Sequence, residues 1–320
     1  MFGSKTPTGI AFAATILEGP AKKDLTKGFR GLSTVPPGVI ARSYAGRPVI
    51  RCPVSRIDGA WIHGRDLNDQ YQALAQRKIA VVGCGALGAA IARLLAQAGV
   101  GTYLLVDGDD IAGHNTSRHV LGQRFIGKNK AAATAQMLKE DFPHIHGAEA
   151  FPLRFEALRA DELRKLAACD IVISAGIDID GDAALDHWRA GLSQPPVHIC
   201  TWVEPFALVG HAAALLGGAR LMDAFDELER VRFRLTDWPV SCGAMAVEAG
   251  CGNVFQPHGT VELQATVGVA AGVALDVLSG KVAQSMRRVW QGDPDDVGRK
   301  CGAVSHLFTE KMSVREYVWL

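Results

Sequence analysis

Residues 78–101 read KIAVVGCGALGAAIARLLAQAGVG, and their order decides the fold. KIAVVG is a short apolar run of strand length. Gly83, Gly85 and Gly88 then spell GxGxxG. Residues 86–98 are rich in Ala and Leu, strong helix formers, and Gly99 and Gly101 stop that helix. TYLLV, at 102–106, is a second strand that ends on Asp107. Strand, glycine turn, helix and a strand closing on an acid make a nucleotide-binding fingerprint. The glycines allow a tight turn and a close approach of backbone N–H groups to phosphate. The helix N-terminus adds about half a positive charge facing the anion. Asp107 sits where an acid accepts bonds from ribose hydroxyls. Taken alone, the pattern admits NAD, FAD or ATP and points to a dehydrogenase.

Outward from this unit the alternation continues. Residues 128–140 read as a helix, 148–153 as a strand, 156–168 as a helix and 170–174 (DIVIS) as a buried strand. A helix at 182–191 leads to strands at 197–201 and 207–215, a long apolar helix at 260–278 and a closing strand at 308–319. Short apolar strands alternating with helices imply an α/β, Rossmann-like, doubly wound and mainly parallel sheet. An antiparallel extension is expected at its C-terminal end. Residues 1–60 lack helical or alternating periodicity and read as an N-terminal arm or the remnant of a preceding module. Residues 61–320 form the main domain, and 61–77 read as a helix running into the first strand. The stretch 234–258 is a long loop, of a length that usually carries function.

Composition narrows the classes. The chain has 320 residues, 48% hydrophobic and 21% charged, with a net charge of +1 from 34 basic and 33 acidic residues. That balance lacks the basic excess of a nucleic-acid binder. The most apolar run, GVAAGVALDVL at 268–278, is broken by Asp276 and falls short of the ~20 residues of a membrane span. The N-terminus lacks the basic start and long apolar core of a secretory signal. A cytoplasmic protein with no membrane partner is expected. Seven cysteines are spread widely with no CxxC pair, which fits reduced thiols and not a disulfide framework.

The residues after the acid separate the nucleotides. Residues 107–119 read DGDDIAGHNTSRH, and 127–133 read GKNKAAA. After the glycine turn come Asp107 and Asp109, then Asn115 and Arg118, then Gly127 and Lys130. This order resembles the ThiF/MoeB/HesA adenylyltransferases and the adenylating halves of ubiquitin-activating enzymes, over roughly residues 73–280. The resemblance implies ATP and Mg²⁺ as cofactors, with adenylation of a carboxylate as the reaction. The chemistry is consistent with that. A carboxylate attacking an α-phosphate brings two anions together, and Arg118 and Lys130 would supply preorganised positive charge. Asn115 could bond the phosphates or orient Arg118. His114 and His119 read as packing or solvent residues.

The resemblance also places an Mg²⁺-binding Asp after the fourth strand. Here DIVISAGIDIDGD runs one residue longer, so Asp178 is the first choice and Asp180 the second, while Asp182 reads as a helix N-cap. Arg65 matches an arginine that relatives reach across a homodimer interface. In activating enzymes a cysteine takes the acyl group as a thioester. Cys251 and Cys242 are the candidates, and Cys251 is favoured because GCGNVFQPHG resembles the segment at this place in bacterial ubiquitin-like activating proteins. The two CxxC pairs that hold structural zinc in many relatives are missing, so no structural zinc is expected. TWVEPFALVGH, at 201–211, resembles a segment of bacterial ThiF-domain proteins encoded with conjugating partners. The implied function is activation of a ubiquitin-like protein and transfer to a conjugating-enzyme-like acceptor in a bacterial anti-phage system. Adenylation of a sulfur carrier or small substrate without a thioester, and an NAD-dependent oxidoreductase, stay open as alternatives.

Overall fold

A computed structural model describes residues 1–6, 9–64, 70–227, 230–247 and 254–320. They divide into two compact units, residues 1–57 and 58–320.

In the first unit β1 (Phe2–Thr6), β2 (Gly9–Leu17) and β3 (Val49–Cys52) form an antiparallel sheet. It is accompanied by helices α1 (Lys22–Leu25) and α2 (Pro37–Tyr44). The absent periodicity in the sequence has a physical reason here, since every β1 residue is exposed and no face is reserved for a core.

The second unit opens with α3 (Gly59–Gly64) and α4 (Tyr71–Ala75). It is then built on β4 (Lys78–Val82), α5 (Ala86–Ala98), β5 (Thr102–Val106), α6 (Lys130–Asp141), β6 (Gly147–Phe151), α7 (Ala160–Ala167), β7 (Ile171–Ala175), α8 (Ile179–Ala190) and β8 (Val197–Val203). The return is made by β9 (Val209–Leu215), β10 (Thr236–Asp237), β11 (Ala246–Val247), β12 (Val254–Phe255), α9 (Thr260–Leu278), β13 (Met286–Gln291), α10 (Pro294–Arg299), β14 (Ala303–Val304) and β15 (Ser313–Val318).

Eight strands form the main sheet in the order β15-β13-β9-β8-β7-β4-β5-β6. The five from β6 to β8 are parallel, and β9, β13 and β15 are antiparallel. The doubly wound reading therefore holds, including its antiparallel extension. Alternate side chains feed two cores. Ile79, Val81, Tyr103 and Leu105 pack with α5, α6 and α9, and Ala80, Val82, Leu104 and Val106 pack with α7 and α8. Helix α9 is long and apolar enough to cross a membrane by length and composition, yet half of it is buried inside this fold. The chain order of the parallel strands reverses between β4 and β7. At such a switch point the loops diverge and leave a crevice beyond the strand ends.

Candidate active site

The crevice lies at that switch point. Gly83, Gly85, Asp107, Asp109, Lys130, Arg154, Gly176 and Asp178 line a cleft of about 260 Å³. A second cavity of about 470 Å³ shares Gly85, Lys130 and Gly176 with it and adds Asn115, Arg118, His119, Trp202, Gln256 and His258. The two are neighbouring lobes meeting over the glycine turn.

Each glycine in the turn has its own duty. Gly83 has φ +86°, and a Cβ there would stand 2.7 Å from the Ala175 carbonyl oxygen. A Cβ on Gly88 would lie 1.9 Å from the Gly83 carbonyl oxygen, so Gly88 keeps α5 tight against the turn. A Cβ on Gly85 would meet nothing within 4 Å, and this residue borders both lobes. Two of the glycines serve packing, and the third keeps the cleft open.

Asp107 is held from both sides. Its Oδ2 accepts the Cys84 N–H at 2.7 Å, and its Oδ1 accepts the Asp109 N–H at 2.8 Å. A carboxylate has about four lone-pair sites, so one on each oxygen is left for ligand hydroxyls. Burial pushes its pKa above the ordinary Asp value, against those N–H bonds and the charge of Lys130. Asn129 caps α6 by accepting the Ala132 N–H, and its Nδ2 donates to the carbonyls of Asp107 and Asp109. That clamp sets the direction of the next residue. Lys130 extends Nζ to 2.8 Å from Asp109 Oδ2, and its side chain is 14% exposed.

Arg118 is half-buried, lines the second lobe and makes no ion pair among the described residues. Asn115 accepts the Ala112 N–H through Oδ1 at 2.9 Å, so its carbonyl shapes the loop that presents Arg118. His119 is buried and does more than pack. Its Nδ1 accepts the Leu121 N–H, which leaves Nε2 to donate to the Cys84 carbonyl at 2.7 Å. This bond ties the Arg118 loop to the glycine turn. Burial lowers the His119 pKa.

Asp178 lines the first lobe as the N-cap of α8, where its Oδ1 accepts the Gly181 N–H at 2.9 Å. Its Oδ2 faces Arg154 Nη1 at 3.4 Å. Asp180 is exposed in the first turn of α8 and does not line the cleft. The expectation for Asp182 is corrected, because the cap is four residues earlier and Asp182 is inside the helix. Its carboxyl lies 3.9 Å from Cys200 Sγ, and burial pushes its pKa up to about 7. Arg65 and Cys251 lie outside the described residues.

The thiol expectation is corrected at one pair. Cys242 and Cys301 are disulfide-bonded across 59 residues of sequence. The pairing of β10 with β14 brings together the segments beside these two cysteines. Spacing along the chain gave no hint of this. Sequence reasoning also missed Arg154 and Glu156, in the turn after β6, and Trp202, Gln256 and His258. Trp202, Gln256 and His258 lie within stretches already singled out, whereas Arg154 and Glu156 only follow the strand read at 148–153.

The TWVEPFALVGH segment acts as a brace. Buried Glu204 accepts the N–H groups of Leu235 and Thr236, the Thr236 hydroxyl and His211 Nε2. Burial alone would raise its pKa, but these bonds outweigh it and hold the carboxyl below the ordinary range. Trp202 stacks on His211 at 4.6 Å between ring centres. Together they fix the start of the 234–258 loop against the sheet.

The ThiF family model matches residues 64–198. Those residues belong to the ThiF family. They contain the glycine turn, Asp107, Asn115, Arg118, Lys130 and Asp178. A curated relative, "ATP-dependent ubiquitin transferase-like protein Cap2" of Pseudomonas aeruginosa, is 30% identical over 255 residues, 77% of this chain but 44% of its own length. The chain thus spans less than half of that relative. "Adenylyltransferase and sulfurtransferase uba4" of Aspergillus niger is 47% identical over 72 residues, which are 22% of this chain and 15% of that protein. Among solved structures, E. coli MccB crystallised with AMPCPP and selenomethionine MccA has a TM-score of 0.56 at 12% identity, covering 89% of this chain and 79% of its own. Selenomethionine PaaA has a TM-score of 0.55 at 17% identity, with coverage of 81% and 82%. The likeness to these two structures is one of fold, and their coverage runs beyond the matched segment into the antiparallel strands.

Proposed function

We propose that this chain uses ATP to adenylate the C-terminal carboxylate of a ubiquitin-like protein. One observation carries the reading: Lys130 and Arg118 line the same cavity as Gly85, beside a cleft that also presents Asp107, Asp109 and Asp178. The nucleoside would lie in the first lobe with its ribose hydroxyls on Asp107, and the phosphates would cross the glycine turn. The substrate carboxylate would enter through the second lobe.

There a carboxylate oxygen attacks the α-phosphorus, the bond from phosphorus to the α,β-bridging oxygen breaks, and pyrophosphate leaves. The second lobe supplies two cations where negative charge accumulates, held before the reaction begins. Lys130 is oriented by the Asn129 clamp and by Asp109, and Arg118 is presented by the Asn115 turn. Arg118 can grip a phosphoryl group with two parallel bonds. Mg²⁺ requires a carboxylate at the phosphates, and Asp178, already on the cleft wall, would hold it and offset phosphate charge.

The names of Cap2 and uba4, and the crystallisation of MccB with ATP and with MccA, support a nucleotide and a protein or peptide substrate. From the acyl adenylate, the thiolate of Cys251 would attack the carbonyl carbon and expel AMP, and a conjugating-enzyme-like protein would then take the acyl group. Arg65 in a homodimer, the anti-phage setting and the role of residues 1–60 as a preceding module belong to the same proposal. The test is incubation with ATP, Mg²⁺ and a ubiquitin-like protein with a free C-terminal carboxylate. Pyrophosphate release with a thiol-labile, hydroxylamine-sensitive adduct, lost in Cys251→Ala while release continues, supports both steps. Release without any adduct leaves adenylation alone. ATP–pyrophosphate exchange absent under all conditions overturns the reading.

A further inference from the structure

The layer between the sheet and α8 holds a polar cluster that the nucleotide site does not use. Asp182 on α8, with His198 and Cys200 on β8, places three potential ligand atoms within 4.8 Å of one another. His198 and Cys200 are two residues apart on one strand and so project from the same face. Ser174 pairs with Cys200 across the β7–β8 ladder. Exposure is 0% at His198, 2% at Cys200 and 1% at Ser174. Cys200 Sγ stands 3.9 Å from both carboxylate oxygens of Asp182, and Ser174 Oγ stands 2.9 Å from His198 Nε2. The other ring nitrogen, Nδ1, faces Asp186 Oδ1 at 3.7 Å. Asp186 is anchored through Oδ2 by the Met222 N–H.

We propose that Asp182, His198 and Cys200 form a structural site for a thiophilic divalent cation of the zinc class, with Ser174 Oγ as fourth donor. The donor set is one sulfur, one imidazole nitrogen and carboxylate oxygen, a combination that selects zinc-like ions over magnesium or calcium. Tetrahedral coordination at ordinary zinc bond lengths spaces its donors about 3.3–3.6 Å apart, so small side-chain rotations from the present spacing complete it. Behind the ring, Asp186 occupies the place of the carboxylate that commonly orients a metal-bound histidine. Asp182 is only partly buried and offers the way in from solvent. Binding displaces the Cys200 thiol proton to solvent.

Ser174, His198 and Asp186 also stand in the order of a nucleophilic triad. Ser174 and His198 are sealed from solvent, so no acyl substrate reaches them, whereas a cation needs only the space among its donors. The site is unrelated to CxxC pairs and does not depend on the adenylation reading. It would pin the first two turns of α8, whose cap is Asp178, to β7 and β8.

The experiment strips the purified protein with a chelator, keeping Cys242–Cys301 oxidised, and reloads it with Co²⁺ as a spectroscopic probe. The proposal predicts one equivalent bound, a thiolate-to-cobalt charge-transfer band, tetrahedral ligand-field bands and displacement by Zn²⁺ but not by excess Mg²⁺. Cys200→Ala loses the band, Cys169→Ala keeps it, and Asp186→Asn weakens binding by about 10–100-fold. If Cys200→Ala does not fold, the wild-type spectrum and a Zn²⁺-dependent rise in Tm decide. A wild-type spectrum with no thiolate band, or a band that survives in Cys200→Ala, overturns the proposal.

Discussion

The two halves of the main sheet are built by different rules. In the ThiF half, residues 64–198, each site group is set by partners that lie within the same half: Asp107 by Cys84 and Asp109, Lys130 by Asn129, Asp178 by its own helix. In the half after residue 198, the cavity wall depends on distant partners. Glu204 reaches Leu235 and Thr236, and Cys242 reaches Cys301. On the proposed function, the first half would present the phosphate cradle by itself. The second must fold across long separations before it has a wall, which suits it to shape the entry of a substrate.

Substitutions can break this contrast. The largest effect is expected at Gly88→Val, because the side chain would collide with the Gly83 carbonyl and push α5 off the sheet. Soluble, folded protein should be lost, as read by circular dichroism. Gly85→Val meets open space and should keep Tm while weakening ATP binding at least tenfold, about 1.4 kcal/mol by titration. Equal loss of fold in both variants would erase the distinction between packing and cleft glycines.

In the second half, Glu204→Ala leaves His211 and two buried backbone N–H groups without their acceptor. A loss of about 3–5 kcal/mol is expected in urea unfolding, with ATP affinity little changed. A comparable loss of ATP affinity would show that the halves are not separable. Lys130→Ala should act the opposite way, keeping Tm and lowering the ATP–pyrophosphate exchange rate by about 10²–10³-fold.

The smallest effect is a pH dependence at the joint between the Arg118 loop and the glycine turn. The native His119 pKa lies below its ordinary value of 6.5, so the unfolded chain binds more protons between the two values. Stability is then full above about 6.5 and declines as pH falls through it, flattening below the native value. Protonation also removes the Nδ1 acceptor that holds Leu121. His119→Gln should flatten the acid side of the Tm–pH profile between pH 7 and 5, and an unchanged slope would assign it to other groups.

The same contrast explains what was legible. Residues 78–109 and 127–133 could be read because strand, turn, helix and acid are contiguous, and each needs a residue type that nothing else supplies. Asp178 lines the cleft while capping α8, so one carboxylate takes both places. Asp182 was misread as the cap because α8 begins at Ile179 and nothing in the local sequence marks Asp178 rather than Asp182 as its start. Strand β13 went unseen because its neighbours β9 and β15 come from far away in sequence. The Cys242–Cys301 bond was hidden for the same reason, as was the contribution of Arg154 to the cleft.

The central claim is that ATP lies across the glycine turn with two cations closing on its phosphates. A crystal structure with a non-hydrolysable ATP analogue and Mg²⁺ tests it most directly. The account predicts phosphate oxygens within hydrogen-bond reach of the backbone around Gly85 and of the side chains of Lys130 and Arg118, with ribose hydroxyls on Asp107. Phosphates bound elsewhere, or either cation turned out to solvent in that complex, would contradict it.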